Sequence, residues 1–229
     1  MKNIALITAS GNGTRMGNTE KPKQFLLVKE KPVLVYTVSQ FQNHPLIDEI
    51  VIVTNKEYIG EVELYCEKYQ LNKVKYIVPG GESRQESVFN GLKALKEKYD
   101  EEDVVVLIHD AARPLVASSI ISSNIEACNK YEAVETVIKA TDTIINSSKG
   151  EILERVLNRD ELYQVQTPQT FLLSLIFEAH KAAIGVNASD DAQLVTRLGK
   201  TVHLVEGNKK NFKITTIEDL KFFETLLEQ

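Results

Sequence analysis

The sequence has few of the residues that mark secreted, metal-binding or acyl-transfer proteins. Only two of its 229 residues are cysteines, Cys66 and Cys128, and both fall within helical patterns without neighbouring Cys or His. We therefore expect reduced, buried thiols, as in a cytoplasmic protein, rather than disulfides or a metal site. The four histidines form no H-x-x-x-H pair, and no Gly-x-Ser-x-Gly nucleophile elbow is present. Zinc hydrolysis and serine acyl transfer therefore lose support.

Long apolar runs and excess positive charge are also missing. No apolar run approaches the roughly 18 residues of a membrane-spanning helix, and the first run, Ile4–Ile7, is too short for a signal peptide. The net charge of −5 and the pI near 5.5 give no basic footprint for nucleic-acid backbones. We expect a cytoplasmic protein that binds neither membranes nor nucleic acid. With 43% hydrophobic residues, the chain is most simply a single domain over residues 1–229.

Apolar runs alternate with helical patterns through the first half of the chain, which predicts βαβ units and an α/β fold with a parallel sheet. The run Val104–Ile108 is apolar on both faces, as expected of a central strand covered by helices on each side. Asp110 therefore emerges at the carboxyl end of that strand, where open α/β sheets bind ligands. The predicted elements are strands Ile4–Thr8, Ile50–Thr54, Val74–Val78 and Val104–His109, and helices Val33–Gln42, Tyr58–Tyr69, Ser83–Tyr99 and Ser118–Lys130.

The pattern changes after the last of these helices. β-branched segments between Ala133 and Gln166, broken by the turn-forming run Asn146–Gly150, predict an extended hairpin or arm over about residues 140–166. Thr216 is a candidate N-cap for a closing helix. The predicted elements here are strands Val134–Ala140, Thr143–Ile145, Ile152–Leu157, Tyr163–Gln166 and Val202–Glu206, and helices Leu173–Ile184, Asp190–Leu198 and Ile217–Leu227.

The loop after the first strand has the composition of a phosphate-binding loop. Gly11 and Gly13 adopt positive φ at little cost, so consecutive backbone N–H groups can turn inward around an anion. Arg15, Lys21 and Lys23 supply positive charge nearby, which fits a nucleoside triphosphate. The spacing matches neither G-x-G-x-x-G nor the P-loop motif, so a third kind of phosphate loop is indicated.

Other candidate residues follow later strands, and each has an alternative structural explanation. The segment Gly80–Ser87 can contact a base or ribose, or form a glycine turn with Ser83 as a helix N-cap, and the two are compatible. Asp110, before Arg113, is a natural Mg²⁺ ligand, or one half of a surface ion pair. His109 is expected to pack beneath the site. Strand propensity, solvation or capping explains four further candidates as well as a ligand contact does, namely Thr143, Arg159, Thr167 and Ser189, while Lys213 taken alone is expected to be a surface lysine.

Seven motifs, in order along nearly the whole chain, resemble the 2-C-methyl-D-erythritol 4-phosphate cytidylyltransferases. They are Ala9-Ser10-Gly11-x-Gly13-x-Arg15-Met16-Gly17, Pro22-Lys23-Gln24, Gly80-Gly81-x-x-Arg84-x-x-Ser87-Val88, His109-Asp110-Ala111-Ala112-Arg113-Pro114, Gln166-Thr167-Pro168-Gln169, Ser189-Asp190-Asp191-Ala192 and Asn211-Phe212-Lys213-Ile214-Thr215-Thr216.

The resemblance implies transfer of CMP from CTP to a polyol phosphate with release of pyrophosphate, in a Rossmann-like nucleotidyltransferase fold with a protruding β-arm. It places Mg²⁺ on Asp110, Arg15 and Lys23 on the triphosphate, and Arg159 and Lys213 in catalysis. It also implies a homodimer whose arm reaches the partner's site, and it leaves two alternatives for Arg159, the partner's site and the site of its own chain. The implied nucleotide contacts are Ala9, Ser10, Gly11, Gly13, Gly81, Glu82, Ser87, Asp110 and Ala111, and the implied acceptor contacts are Asp110, Thr143, Arg159, Thr167, Ser189 and Lys213.

Alternatives remain at this point. Ser189 stands where the family commonly has Thr, and Tyr163–Gln166 is similar to the related ribitol 5-phosphate cytidylyltransferases, so the acceptor is less firmly indicated than the reaction. An NAD-dependent dehydrogenase needs an acidic residue after the second strand, where this chain has Thr54-Asn55-Lys56. A nucleotide sensor without catalysis is disfavoured by Arg15, Lys23 and Asp110.

Overall fold

A computed structural model describes residues 1–11, 21–99, 103–185 and 188–228. The observed strands and helices agree closely with the predicted ones in the first half of the chain. In chain order they are β1 Lys2–Ala9, β2 Leu27–Val28, β3 Lys31–Pro32, α1 Val33–Gln42, β4 Glu49–Thr54, α2 Ile59–Lys68, β5 Val74–Pro79, α3 Arg84–Lys98, β6 Val104–Asp110, α4 Ser118–Tyr131, β7 Ala133–Lys139, β8 Ile145–Asn146, β9 Arg155–Val156, β10 Tyr163–Leu172, α5 Leu173–Ala182, α6 Asp191–Arg197, β11 His203–Glu206 and α7 Ile217–Leu226.

A seven-stranded sheet organises the fold, in the order β11-β7-β10-β6-β1-β4-β5. The pairs of β1 with β4 and β6, of β4 with β5, and of β7 with β11 are parallel, whereas β10 runs antiparallel between β6 and β7. All seven residues of β6 are buried, as expected of a central strand. Hydrophobic clusters cover both faces of the sheet. The mostly parallel α/β fold predicted from the sequence is confirmed.

Helix α3 lies unusually close to the sheet because of Gly91. A Cβ atom at this position would come within 2.7 Å of Leu6 Cδ1 and 2.9 Å of Val53 Cγ2. The glycine therefore lets the helix backbone approach β1 and β4. Ser83 is the N-cap of α3 and accepts a hydrogen bond from Glu86 N at 3.0 Å.

Strand β10 is longer than predicted. The sequence pattern ended it at Gln166, but it continues to Leu172 and inserts into the main sheet. The polar run concealed this because Gln166 and Gln169 are buried with their amides hydrogen bonded, so they behave as interior residues. The peptide bond between Thr167 and Pro168 is cis.

The arm, predicted over about residues 140–166, has less regular structure than expected before β10 begins at Tyr163. Only Ile145 with Val156 and Asn146 with Arg155 pair across β8 and β9, among the residues that the structure describes. The predicted strands Thr143–Ile145 and Ile152–Leu157 are therefore mostly irregular. An isolated two-stranded ribbon gains little from β-branched residues when it has no sheet to pack against.

The C-terminal segment ends as the sequence indicated. Thr216 caps α7, and Asp219 completes a reciprocal capping box with the Thr216 backbone N–H. Among the described residues, no helix is both long and apolar enough to cross a membrane.

Candidate active site

A cleft of about 360 Å³ opens at the carboxyl ends of β1, β5 and β6. This is the sheet edge at which Asp110 was predicted to bind a ligand. The cleft brings together most of the predicted nucleotide-binding residues that the structure describes. Its lining includes Ser10, Gly11, Lys23, Gly81, Glu82, Ser87, Asp110, Ala111 and Lys213, while Ala9 lies buried at the end of β1.

Gln24 anchors the first loop of the cleft. Its buried side chain donates from Nε2 to the carbonyl oxygens of Ala9, at 2.6 Å, and Gly11, at 3.0 Å. The short 3₁₀ helix Lys23–Phe25 is thereby held against the end of β1. Lys23 is placed in the cleft, whereas Lys21 forms an ion pair with Glu61 at 2.7 Å and lies outside the cleft lining.

The second loop is tied to the first by two serine hydroxyls. The side-chain oxygens of Ser10 and Ser87 are 2.7 Å apart, and Ser87 Oγ accepts from Gly81 N at 3.0 Å. A Cβ atom at Gly80 would lie 2.6 Å from Ser10 Cβ, so only glycine permits this close approach. The structural explanation for Gly80–Ser87 is confirmed because Ser83 caps α3, and Gly81 lies in the wall of the cleft, so a contact with a base or ribose stays a prediction.

Asp110 is the electrostatic centre of the cleft. Lys213 Nζ lies 2.9 Å from its Oδ2 atom, Arg113 Nε 3.4 Å from the same atom, and Arg84 Nε 3.8 Å from Oδ1. Burial raises the pKa of this carboxyl, but the charges of Lys213, Arg84 and Arg113 outweigh burial and hold the pKa well below its usual range. Asp110 is therefore ionised at neutral pH, and the cleft carries net positive charge suited to a polyphosphate.

Lys213 owes its position to the segment around it. Asn211 is fully buried and donates from Nδ2 to the Thr167 carbonyl at 2.8 Å, while its own carbonyl accepts from Arg113 Nη1 at 2.8 Å. Ile214 N donates to the carbonyl of Ala112 at 2.8 Å. These bonds hold the segment 211–214 beside the residues that follow β6, so the lysine lies in the cleft rather than on the outer surface.

Thr167 and His109 support Asp110 from behind. His109 Nε2 lies 3.1 Å from the Arg113 carbonyl, which can only accept, so this nitrogen carries the proton. Thr167 consequently donates its hydroxyl proton to His109 Nδ1 at 3.0 Å and accepts from Asp110 N at 3.2 Å. Burial lowers the pKa of His109 to about 4, so the ring is neutral at pH 7. His109 packs beneath the site, as predicted.

Arg84 was in a recognised motif but was assigned no role from the sequence. It lines the cleft and reaches Asp191, with Nη2 and Oδ2 2.8 Å apart. Asp191 is 1% exposed and also bonds His180 Nε2 at 3.0 Å. Sequence reasoning missed this connection because Arg84 and Asp191 are more than 100 positions apart and meet only through the packing of α3, α5 and α6.

The remaining predicted residues lie elsewhere. Thr143 and Arg159 are exposed on the arm, where Arg159 Nη1 donates to the Thr141 carbonyl at 3.0 Å. Ser189 is exposed, and the N-cap of α6 is Asp190, which accepts from Gln193 N at 2.8 Å. Gly13 and Arg15 fall outside the described residues.

The two cysteines are free thiols. Burial raises the pKa of Cys66 to about 11 and that of Cys128 to about 12. Both therefore stay protonated at neutral pH, which lowers their reactivity. Cys128 is buried as predicted, whereas Cys66 is only partly buried, so the prediction of a buried thiol is wrong for Cys66.

The geometry can be compared with known proteins. The family model of 2-C-methyl-D-erythritol 4-phosphate cytidylyltransferase matches residues 3–229. The enzyme of that name from Clostridium botulinum (strain Okra / Type B1) is 46% identical over 100% of this chain and 98% of its own length. A ribitol-5-phosphate cytidylyltransferase from Vibrio parahaemolyticus is 38% identical over 99% of this chain and 96% of its own length.

Solved structures give the same result. The 4-diphosphocytidyl-2C-methyl-D-erythritol synthase of Anaerococcus prevotii is 32% identical, with a TM-score of 0.86 over 100% of this chain and 96% of that one. The 2-C-methyl-D-erythritol 4-phosphate cytidylyltransferase of Thermus thermophilus is 34% identical, with a TM-score of 0.79 over the full length of both chains. Because the family model, the relatives and the folds agree over nearly the whole length, the chain belongs to the 2-C-methyl-D-erythritol 4-phosphate cytidylyltransferase family.

Proposed function

We propose that the protein transfers CMP from CTP to 2-C-methyl-D-erythritol 4-phosphate, releasing pyrophosphate and forming the CDP-polyol used in isoprenoid precursor synthesis. The observation that carries this proposal is the convergence of Lys23, Asp110 and Lys213 on one cleft beside the loops Ala9–Gly11 and Gly80–Ser87. Backbone loops suit a nucleotide and its phosphates, and the cations suit the charge that develops during phosphoryl transfer.

The reaction requires positioning and charge stabilisation more than proton transfer. The phosphate oxygen of the acceptor attacks the α-phosphorus of CTP in line with the departing pyrophosphate, and this nucleophile is already ionised at neutral pH. Lys23, together with Arg15 by family resemblance, neutralises charge on the triphosphate and the leaving group. Lys213 lies in the same cleft beside Asp110 and stabilises charge on the acceptor side. Such donors act mainly because they are held in place before the reaction begins.

Mg²⁺ fits Asp110 only as part of a complex with substrate. No cluster of three or more His, Cys, Asp or Glu side chains suited to a metal occurs in the described part of the chain. Lys213 and Arg113 both contact Asp110 Oδ2, whereas Oδ1 has, within the residues that the structure describes, only the longer contacts to Thr8 Oγ1 at 3.5 Å and Arg84 Nε at 3.8 Å. Oδ1 is therefore the atom that would hold the ion. Mg²⁺ commonly takes one or two protein carboxylates and completes its shell with water and substrate phosphates, which it bridges and neutralises.

We assign the arm to a homodimer contact. Its apolar side chains Ile145, Ile152, Leu153 and Val156 are 49–72% exposed, which is unfavourable unless another surface covers them. Arg159 lies on the same arm, outside the cleft of its own chain. In a twofold dimer, each arm would present Arg159 to the partner's acceptor site, with Thr143 beside it.

Mixing two inactive variants tests this assignment. If Arg159 serves the partner's site, a dimer of Lys23→Ala and Arg159→Ala chains retains one complete site. Random mixing should then restore about a quarter of wild-type activity, because half of the dimers are mixed and half of their sites are intact. If the arginine serves its own site, mixing restores nothing. Analytical ultracentrifugation reports the oligomeric state in parallel, and a monomer at assay concentration would contradict the dimer.

Ribitol 5-phosphate is the second candidate acceptor, because a ribitol-5-phosphate cytidylyltransferase is among the relatives at 38% identity. The experiment measures pyrophosphate release from CTP and Mg²⁺ with methylerythritol 4-phosphate and ribitol 5-phosphate in parallel. We expect release that depends on methylerythritol 4-phosphate. Release with ribitol 5-phosphate alone would move the protein to the other activity, and CTP binding without release would make it a sensor. We also propose a cytoplasmic location, consistent with its two free thiols.

A further inference from the structure

A chain of polar contacts leads from the cleft to strand β7. From Asp110, it passes to Arg84 at 3.8 Å and to Asp191 at 2.8 Å. Asp191 N donates to Gln169 Oε1 at 3.1 Å, and Gln169 Nε2 donates to Glu135 Oε1 at 2.5 Å. The mechanism above uses Asp110 directly, but it leaves the far end of this chain without a role.

The sheet register creates the link between the last two members. Gln169 on β10 lies directly opposite Glu135 on β7, so their side chains share one face of the sheet. Gln169 is fully buried, and both ends of its amide are hydrogen bonded within this chain. The orientation of the amide is therefore set by its two partners, Glu135 on one side and the start of α6 on the other.

We propose that Glu135 is a positioning residue for cytidylyl transfer, and that its ionised carboxylate fixes Arg84 in the cleft through Gln169 and Asp191. The proposal rests on the function proposed above. It predicts that the productive position of Arg84, and with it the efficiency with CTP, depends on whether Glu135 carries a proton.

The proton on Glu135 decides which way the Gln169 amide is held. An ionised carboxylate only accepts, so Gln169 must direct its NH₂ group to Glu135 and its carbonyl oxygen to Asp191 N. A protonated Glu135 can donate instead, which stabilises the opposite orientation of the amide. Asp191 N then loses its acceptor, and the carboxylate that holds Arg84 is less firmly placed. The proton itself comes from solvent, since Glu135 is half-buried.

The surroundings of Glu135 favour the protonated form near neutral pH. Burial, followed by the negative charges of Asp190 and Asp191 from α6, raises the pKa of Glu135 to about 7, against the opposing hydrogen bond from Gln169. Strand β11 carries Glu206 on the same sheet face, but Glu206 lies opposite Val137 rather than Glu135, and the charges that add to burial in raising this pKa are those of Asp190 and Asp191.

The nearby cation, Arg84, pairs with a carboxylate other than Glu135. Arg84 from α3 contacts Asp191 rather than Glu135, His180 from α5 also bonds Asp191, and β10 contributes the neutral Gln169 opposite Glu135. Helix α4 packs against the other face of β7, where Asn124 bonds Thr136 at 2.9 Å. A proton on Glu135 is therefore held by this acidic environment.

The test compares pH profiles of kcat/KM for CTP between about pH 6 and 8.5 for wild type, Glu135→Gln and Glu206→Gln. Glutamine keeps the shape of the side chain and removes its titration, while Glu206→Gln removes a carboxylate on the same face that lies outside the chain. Titration of the substrate phosphates affects all three enzymes equally, so the ratio of wild type to variant isolates Glu135. We expect the ratio of kcat/KM of wild type to that of Glu135→Gln to rise about fivefold as the pH increases, with a midpoint near pH 7. The same ratio for Glu206→Gln should not change with pH.

A ratio for Glu135→Gln that is independent of pH would overturn the proposal. Gln169→Met, which removes both amide contacts at similar volume, provides a second variant and should also flatten the profile. The affinity for CTP, measured by calorimetry over the same pH range, distinguishes failure of the positioning role from failure of the proposed function. If neither acceptor supports turnover, the proposed function fails, and a pH-dependent CTP affinity that Glu135→Gln abolishes still supports the positioning role. An affinity that is unchanged by the variant contradicts it.

Discussion

Lys213→Ala is the substitution whose consequences the geometry defines best. It removes the cation nearest to Asp110, with Nζ and Oδ2 2.9 Å apart, and leaves Arg113 at 3.4 Å and Arg84 at 3.8 Å. Two cations still neutralise the carboxylate, so Asp110 stays ionised and is not left as an unpaired buried charge. The variant should therefore fold.

The expected effects on stability and catalysis differ in size. A hydrogen bond to a charged group contributes about 1.5–3 kcal/mol, and the remaining cations and the partial exposure of Lys213 reduce the loss to about 1 kcal/mol. For a chain of this length, that lowers the melting temperature by about 2–4 °C. Loss of a donor that stabilises transition-state charge lowers turnover about 10²–10³-fold, equivalent to about 3–4 kcal/mol.

Calorimetry and continuous pyrophosphate release measure the two effects on the same samples. Lys210→Ala is the matched control, since Lys210 is exposed on the same segment and outside the cleft lining. It should retain wild-type turnover and melting temperature. A folded Lys213→Ala enzyme with wild-type kcat/KM would refute the catalytic placement of this lysine. A large loss of melting temperature would show that its main contribution is structural.

Four further predictions follow from the same site. Lys23→Ala should reduce turnover about a hundredfold or more, whereas Lys21→Ala, whose amine pairs with Glu61, should have a small effect; equal losses in the assay would contradict this assignment. Mg²⁺ should bind measurably by calorimetry only when CTP is present, because Asp110 is already surrounded by cations; tight binding to the free protein would oppose this. Thr167→Val should lower the free energy of unfolding, measured by chemical denaturation, by about 1–3 kcal/mol, because Asp110 N and His109 Nδ1 both lose their partner. A variant as stable as wild type would show that Thr167 does not support Asp110. Asp191→Asn should destabilise the protein most at neutral pH. The difference in melting temperature between wild type and variant should become smaller as the pH falls below about 4.

The sign of the last effect follows from the pKa of Asp191. Burial raises this pKa, but Arg84 and His180 outweigh burial and hold it below its usual value in the folded state. A carboxyl whose folded pKa is depressed adds stability above its unfolded pKa, and this stability is lost as the pH falls through the folded pKa. A difference between wild type and variant that grew with acidity would contradict the assignment.

The fold was predictable for segments whose hydrophobic pattern reflects their place in the sheet. The apolar run of β6 identified a buried central strand, and the residue after it had to lie at the ligand-binding edge of the sheet. Helices α1 and α3 were predicted within one residue of their observed bounds. Periodicity located both helices, and for α3 the Gly80-Gly81 turn and the Ser83 cap coincide with it. These signals lie within a few residues of the elements they define.

The missed features depend on contacts between distant segments. The continuation of β10 was hidden because Gln166 and Gln169 look like loop residues until their amides find partners on other elements. Arg84 was assigned no role from the sequence, because its ion pair with Asp191 exists only after α6 packs nearby. The sequence predicted more strand in the arm than the structure has. β-propensity identifies side chains that suit a sheet, but among the described residues these segments have no main-sheet strands beside them to pair with.

A crystal structure with CTP and Mg²⁺ tests the central claim most directly. We predict that the cytidine and phosphates occupy the cleft between Gly81 and Lys23, with the α-phosphate facing Asp110 and Lys213. Nucleotide density on another face of the molecule, with this cleft empty, would contradict the account.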